Sequence, residues 1–294
     1  MMRKKSVGRR VFELFNTLFL LFLAAICLLP LLNVLAISLS SSSAAGSGEV
    51  SFFPVEFTLK SYEFVINKSE FWTSFGVAVM RVLVGVPLSL LVTILMAYPL
   101  SKTDAQFRGR KIYVAILVFT MLFSGGLIPW YMTISNLGLI DSFWALILPS
   151  CVSVYNIIIL MNFFRQLPYE LEEAAFIDGA GFLRTLVQIV LPLSKPALAT
   201  ITLFCVVTHW NSWFDGLLLM NSPEHYPLQS YLQTVIVNSD MTLMSTSDIL
   251  TMSQVSDRTQ KAAQSFVAAV PILCIYPFLQ KYFTEGLVVG SVKG

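Results

Sequence analysis

Residues 172–192, EEAAFIDGAGFLRTLVQIVLP, form a polar interruption between two long apolar stretches of the chain. The segment predicts two short helices. Gly179 or Gly181 is expected to end the first helix, since glycine accepts the left-handed conformation that such a stop commonly needs. A second helix is expected over 182–190, until Pro192 breaks it. A membrane protein that keeps such a loop is expected to use it outside the bilayer.

The first of these helices has features of a docking element. Pro168 suits a first helical position, and carboxylates in the first turns complement the helix dipole. These carboxylates are Glu170, Glu172 and Glu173. Helical spacing predicts one apolar face, made of Leu167, Leu171, Ala174 and Ala175. Anionic inner leaflets attract basic rather than acidic faces, so a soluble protein partner is favoured over the lipid headgroups.

Composition places the chain in a bilayer. Of its 294 residues, 56% are hydrophobic and 12% are charged, which excludes an ordinary soluble domain. A span needs about 20 mostly apolar residues. Six such runs are predicted, near 12–37, 75–100, 113–134, 143–164, 196–220 and 265–283. The fold class is therefore an all-α, polytopic membrane protein, with residues 1–294 forming a single transmembrane domain.

The positions of lysine and arginine predict the orientation, because basic residues accumulate in cytoplasmic segments. With the N-terminus inside, the outer loops hold only Lys60, Lys68, Arg258 and Lys261. The inner segments hold Arg3, Lys4, Lys5, Arg9, Arg10, Lys102, Arg108, Arg110, Lys111, Arg165, Arg184, Lys195, Lys281 and Lys293. An N-in, C-in topology follows, with the 165–195 loop in the cytoplasm. A cleaved signal peptide is the alternative for the N-terminus, but the apolar run is too long and lacks a clear cleavage site.

Neither a metal site nor a catalytic centre is expected. The four cysteines, Cys27, Cys151, Cys205 and Cys274, all fall in predicted spans, where they suit packing. His209 and His225 are too isolated to suggest ligands, and no phosphate-binding glycine loop is present. We expect no cofactor on this chain and no nucleic-acid partner.

The loop resembles a known motif at every position. Glu173-Ala174-Ala175, Gly179, Ile189 and Leu191-Pro192 have the spacing of the EAA loop of permease subunits of bacterial binding-protein-dependent ABC importers. The C-terminal stretch YPFLQKYFTEGLVVGSVKG and the segment HWNSWFDGLLLM are similar to the carbohydrate-importing, maltose-permease-like branch, especially the subgroup for complex oligosaccharides including aldouronates. Glu285 departs from this pattern, since relatives often carry Lys there.

That resemblance implies a MetI-like permease fold whose cytoplasmic coupling helix fits a cleft on an ATPase. The coupling residues it implies are Glu172, Glu173, Ala174, Ala175, Asp178, Gly179, Ile189, Leu191 and Pro192. The implied partners are a second, homologous permease, two cytoplasmic ATP-binding subunits that hold ATP and Mg²⁺, and an extracytoplasmic solute-binding protein. The chain itself would be a multi-pass component of the bacterial plasma membrane that moves a sugar by alternating access and catalyses no reaction.

Candidate residues for the sugar path are aromatic or hydrogen-bonding groups in the fourth and fifth spans. They are Tyr155, Asn156, Trp210, Asn211, Trp213 and Asp215. An interfacial aromatic belt explains the tryptophans equally well, and interhelical hydrogen bonds explain the asparagines. Arg81, near the start of the second span, is expected to extend its side chain to the interface.

Three other functions stay open at this point. The EAA loop predicts the ATPase rather than the cargo, so the importer could carry a non-sugar solute. A channel or intramembrane enzyme is disfavoured, since no span carries repeated polar residues, a metal-ligand cluster or a convincing nucleophile and base. A structural or signalling protein that docks an unrelated partner is the third alternative.

Overall fold

A computed structural model describes residues 7–237 and 256–291, and every regular element in these ranges is helical. Arg3, Lys4, Lys5 and Lys293, used above for orientation, lie outside them. We number the α-helices α1 to α14. They are Val7–Ser38, Ser42–Ser47, Lys60–Ile66, Ser69–Ser101, Arg110–Leu122, Leu127–Asn136, Val154–Gln166, Tyr169–Ile177, Phe182–Thr185, Leu191–Leu193, Lys195–Asn211, Phe214–Leu219, Leu228–Val237 and Asp257–Ser291.

Short helices of other types complete the described chain. Three are 3₁₀ helices, Phe143–Leu146, Leu148–Ser150 and Pro223–His225, and Leu186–Val190 is a π-helical stretch. The all-α class is confirmed.

Within the described ranges, two helices are long and apolar enough to cross a bilayer, Val11–Ser38 of α1 and Ser69–Ser101 of α4. Three further candidates are pairs of helices with a sharp bend between them, which gives up to five spans among the described residues. The sixth predicted span, 265–283, lies within α14, which is not among the five. Six spans and the N-in orientation therefore stay predictions.

Bends or breaks interrupt the helices within the third, fourth and fifth predicted spans. The third is split by Phe123–Gly126, where α5 and α6 meet at 115°, and Gly126 has a φ of 90°. The fourth bends by 47° before α7. Ser212 and Trp213 separate α11 from α12 in the fifth. Hydropathy alone did not predict these breaks because the interrupting residues are few and small or apolar.

The described chain divides into two compact units. The first lies within Met1–Ser69 and Val235–Ala269. Its core is small, with Ala36, Ile37, Ala44, Ala45, Val50 and Ala262 buried together. Val55 N donates to Ser40 Oγ at 3.0 Å, and Thr58 N donates to the Leu39 carbonyl at 3.0 Å. These bonds hold the chain that follows α2 against the C-terminal end of α1.

The second unit, within Glu70–Thr234 and Val270–Gly294, contains the larger core. Side chains of α4, α7 and α11 bury one another there, including Tyr98, Ile157, Leu160, Phe164 and Ile201. This core also reaches the π-helical stretch that follows α9, where Leu186 and Val190 are buried. The core of the second unit therefore supports α8 and α9.

Candidate functional site

The predicted docking helix is α8, Tyr169–Ile177, with Pro168 at its N-terminal cap position. Gly179 follows with a φ of 80°. Gly179 N donates to the Phe176 carbonyl at 3.0 Å and Ala180 N to the Ala175 carbonyl at 2.9 Å, the paired bonds of a Schellman stop. Of the two glycines predicted to end the helix, Gly179 does so.

The two faces of α8 differ from the prediction. Glu172 and Ala175 are buried, whereas Glu173 and Ala174 are exposed, and Leu171 is 42% exposed. The four residues predicted to share an apolar face therefore differ in exposure: Ala175 is buried, Leu167 is half-buried, and Leu171 and Ala174 are exposed. Glu172 turns inward because a buried lysine supplies its counter-charge. The outward face carries Glu173 and Ala174, two of the three residues that name the EAA motif.

That lysine is Lys102, which directly follows α4. Its ammonium forms a buried ion pair with Glu172 and lies 3.9 Å from the centroid of the Tyr98 ring. Burial lowers the pKa of Lys102, and the hydrogen bond and charge of Glu172 oppose that shift. Tyr98 itself packs edge-on against Phe164 of α7, with ring centroids 6.3 Å apart. The pair thus joins α8 to the core of the second unit.

A cleft of about 450 Å³ opens beside this pair. Its walls come from the α4–α5 loop, the end of α7 and the start of α8, and include Lys102, Arg110, Arg165, Tyr169 and Glu172. Gln106 Nε2 donates to Tyr169 Oη at 3.2 Å across the exposed rim. The docking helix is therefore tied to the α4–α5 loop at two places.

The second predicted short helix runs further than expected. Phe182–Thr185 continues through the π-helical Leu186–Val190 into Leu191–Leu193, so Pro192 does not end it. Proline is tolerated there because it occupies the first turn of the last segment. The chain instead bends by 86° before α11. Ile189 and Leu191 are half-buried, and Pro192 and Asp178 are exposed.

A second cluster of polar groups lies in the same unit, between α4 and the junction of α11 with α12. Arg81 on α4 is fully buried and forms a two-pronged ion pair with Asp215 at the start of α12, with Nη1 3.2 Å from Oδ1. Asp215 Oδ1 also accepts from Ser212 Oγ at 2.8 Å and from Gly216 N at 2.9 Å. The expectation that Arg81 extends to the interface is wrong, because Asp215 neutralises it within the fold.

His209 and Ser89 extend this cluster, and sequence reasoning missed them. Ser89 Oγ lies 3.0 Å from His209 Nε2, and the imidazole ring packs on Gly85. Arg81, Gly85 and Ser89 are spaced by four residues and so share one face of α4. An arginine, a glycine and a serine at this spacing in an apolar helix are the sequence signal that could have predicted the cluster.

The six predicted path residues fall into two groups. Asn156, Trp210 and Asp215 are engaged within the chain: Asn156 Nδ2 lies 3.7 Å from Cys205 Sγ, and Trp210 packs edge-on against Phe75 at 6.0 Å. Tyr155, Asn211 and Trp213 are exposed. Asn211 and Trp213 lie on either side of Ser212 at the break between α11 and α12.

Comparison with known proteins gives one family match. Residues 66–288 match the family described as "Binding-protein-dependent transport system inner membrane component". This region includes α8, its Schellman stop and both ion pairs.

Individual relatives align over nearly the whole chain. Protein LplC of Bacillus subtilis (strain 168) is 42% identical over 285 residues, 97% of this chain and 96% of the relative. The polygalacturonan/rhamnogalacturonan transport system permease protein YtcP of the same organism is 40% identical over 285 residues, 97% of this chain and 99% of the relative.

A solved structure shares the fold. A chain of a bacterial ABC transporter involved in the import of the acidic polysaccharide alginate superposes with a TM-score of 0.86 and is 33% identical. The match covers 96% of the present chain and 100% of that chain.

Proposed function

Because the chain belongs to the binding-protein-dependent transport system inner membrane components, the permease subunits of ABC importers, we propose that it forms one membrane half of an oligosaccharide importer. Membership confirms the predicted resemblance, the membrane location and the role of a transport subunit rather than an enzyme. The proposed assembly also contains a second, homologous permease, two ATP-binding subunits and an extracytoplasmic binding protein.

The observation that carries this proposal is the presentation of α8. A helix of nine residues stands out from the core with Glu173 and Ala174 exposed, while Glu172 is engaged within the chain. Small alanines permit close approach of another surface, and Glu173 offers it a charge. We assign this outward face to contact with the ATP-binding subunit. The proposal includes six spans and an N-in topology, which together place α8 in the cytoplasm.

The proposed cargo is an oligosaccharide that carries uronic acid units. One relative is named for polygalacturonan and rhamnogalacturonan, and the solved neighbour belongs to an importer of alginate, an acidic polysaccharide. Both are similar over nearly the full length of this chain. A non-sugar solute remains the rival cargo.

Within the chain, the sugar contacts are assigned to Asn211, Trp213 and Tyr155. Their exposed side chains supply an amide and two aromatic rings for hydroxyls and for the apolar side of a sugar ring, with Tyr155 also in contact with Phe204 and Trp213 with Phe214. Trp210, Asn156 and Asp215 are assigned to the frame around that path, because Trp210 and Asn156 are buried and Asp215 is paired with Arg81. Alternating access would then be driven by ATP-dependent movement of α8.

The test is purification of the tagged chain from its native membrane, followed by ATPase assays in proteoliposomes. We expect a second permease and an ATP-binding subunit to co-purify. Addition of the binding protein with uronate oligosaccharides should stimulate ATP hydrolysis, whereas neutral oligosaccharides and amino acids should not. Stimulation by an amino acid alone would replace the cargo, and a chain that purifies without any ATP-binding subunit would refute the importer.

A further inference from the structure

Lys102 is the buried charge that neither the motif nor the sugar path accounts for. Its side chain is 7% exposed, and that of its partner Glu172 is 11% exposed. Removing a charged side chain from water is unfavourable unless a counter-charge and further favourable contacts accompany it. Glu172 provides the counter-charge, and the face of Tyr98 provides a cation–π contact.

Helix α8 has little else to hold it on the core. Of its nine residues, all of which the structure describes, two are buried, Glu172 and Ala175. A short helix with a single buried alanine gains little from apolar burial. The remaining side-chain links are the exposed Gln106–Tyr169 hydrogen bond and the edge contact of Phe176 with Phe182, at 5.1 Å. Among the side-chain hydrogen bonds, ion pairs and ring contacts of α8, the ion pair is the buried one that reaches the end of α4.

The ion pair also connects the docking helix to the end of a predicted span. Lys102 extends the chain of α4, a helix that runs from Ser69 to Ser101 and carries Arg81, Gly85 and Ser89 on one face. Glu172 is next to Glu173, the exposed carboxylate of the docking face. Adjacent residues therefore carry a carboxylate offered to a partner and a carboxylate joined to the end of the second predicted span.

We propose that Lys102 is a positioning residue for transport: through its buried pair with Glu172 it makes α4 follow the displacement of α8. This inference rests on the proposed function and adds the route by which movement of the docking helix reaches the membrane. Coupling of this kind requires a contiguous, stiff set of contacts. The contacts run from the exposed face of α8 through Glu172 and Lys102 to Tyr98 and α4.

The experiment uses the complete importer in proteoliposomes. Lys102→Met and Glu172→Gln each remove one charge at nearly constant size, and Lys102→Glu combined with Glu172→Lys exchanges the charges. Lys111→Met is the matched control, since that lysine lies in the first turn of α5, close in sequence to Lys102, and is 82% exposed. Three quantities are measured: co-purified ATP-binding subunit, ATP hydrolysis, and sugar imported per ATP hydrolysed.

We expect both single variants to retain the ATP-binding subunit and to import at least fivefold less sugar per ATP. The exchanged pair should recover at least half of the original ratio, and Lys111→Met should keep the wild-type ratio. Wild-type import per ATP in either single variant would overturn the proposal. So would loss of the ATP-binding subunit from both single variants and the exchanged pair, because Lys102 would then serve assembly only. A wild-type complex that lacks an ATP-binding subunit would instead refute the proposed function.

Discussion

Arg81 is a single side chain whose burial depends on one partner. It is fully buried, Asp215 is 14% exposed, and the two form a two-pronged pair. A charge in such a place must be neutralised by a partner, by hydrogen bonds or by loss of its proton. Arginine keeps its proton, and the carboxylate of Asp215 is its counter-charge. The pair is therefore a fixed element of the fold, although Asp215 had been predicted to face the sugar.

Breaking this pair is expected to destabilise the chain more than removing an exposed charge. Arg81→Met or Asp215→Asn should each lower the free energy of unfolding by about 3–5 kcal/mol, because one buried partner is left uncompensated. Arg81→Met combined with Asp215→Leu should recover much of that loss. Lys111→Met, in an exposed pair, should cost about 0–1 kcal/mol. Melting of the detergent-solubilised protein measures all four, and equal loss in the single and double variants would contradict this account.

Gly85 leaves the room that His209 occupies. A Cβ added at Gly85 would lie 2.7 Å from His209 Cε1 and 2.8 Å from Nε2. Gly85→Ala should therefore push the ring away from Ser89 and cost about 1–3 kcal/mol, as overpacking does. Gly76→Ala is the control on the same helix, since nothing lies within 4 Å of its added Cβ, and it should be neutral or slightly stabilising. Similar melting temperatures for both variants would show that the ring moves freely.

Backbone geometry ends helix α8, and a side chain that is distant in sequence determines its orientation. Pro168 and Gly179 act locally, so the sequence predicted where the helix lies and which residues flank it. The buried face depends on Lys102, which is separated from Glu172 by 70 positions. Periodicity describes one helix at a time and contains no information on such a partner. For the same reason Arg81 was expected at the interface, because Asp215 is 134 positions away.

The stop at Gly179 can be tested against a neighbouring glycine. Gly179 has a φ of 80° and Gly181 a φ of −81°, and neither has an atom within 4 Å of an added Cβ. Gly179→Ala should cost about 1–2 kcal/mol, because an L-residue is strained in the left-handed region. Gly181→Ala should be close to neutral. The melting temperatures of the two variants provide the measurement, and an equal effect would mean that the stop adopts another conformation.

The loop between α4 and α5 has a charged pair that predicts a pH dependence. The hydrogen bond from Lys111 is the main cause that lowers the pKa of Asp104 from its ordinary value of 3.8, and Arg110 adds to it. A carboxylate with a lowered pKa stabilises the folded state above its ordinary value, and this contribution is lost as pH falls through the lowered pKa. Wild type should therefore melt higher than Asp104→Asn at neutral pH, and the difference should vanish in strong acid.

Lys111→Met supplies the control for this titration. Without the main hydrogen-bond donor, replacement of Asp104 by Asn should change the melting temperature less at neutral pH. If the difference between wild type and Asp104→Asn stays constant down to the most acidic pH, Asp104 does not contribute through its charge.

At the scale of the whole molecule, the main prediction to be measured is the transmembrane topology. Single cysteines are introduced into a chain whose four natural cysteines are replaced by alanine. With the N-terminus inside, a membrane-impermeant reagent should label Ser47→Cys and Glu224→Cys in cells whose plasma membrane is intact. Ala174→Cys and Lys111→Cys should be labelled only after that membrane is opened. All four natural residues are exposed, so labelling reports the side of the membrane, and external labelling of Ala174→Cys would reverse the topology.

The first helix has a consequence for how the sequence can change. In its most apolar 18-residue window no side chain is buried within the chain, whereas Ala36, Ile37 and Ser38 near its end are buried. Asn33 Nδ2 also donates to the Ser51 carbonyl, at 2.5 Å. An exchange of one large apolar residue for another before position 33 leaves the chain's own packing unaltered. That stretch is free to drift in identity while its hydropathy stays constant, and only its last turns are held to specific residues by the rest of the chain.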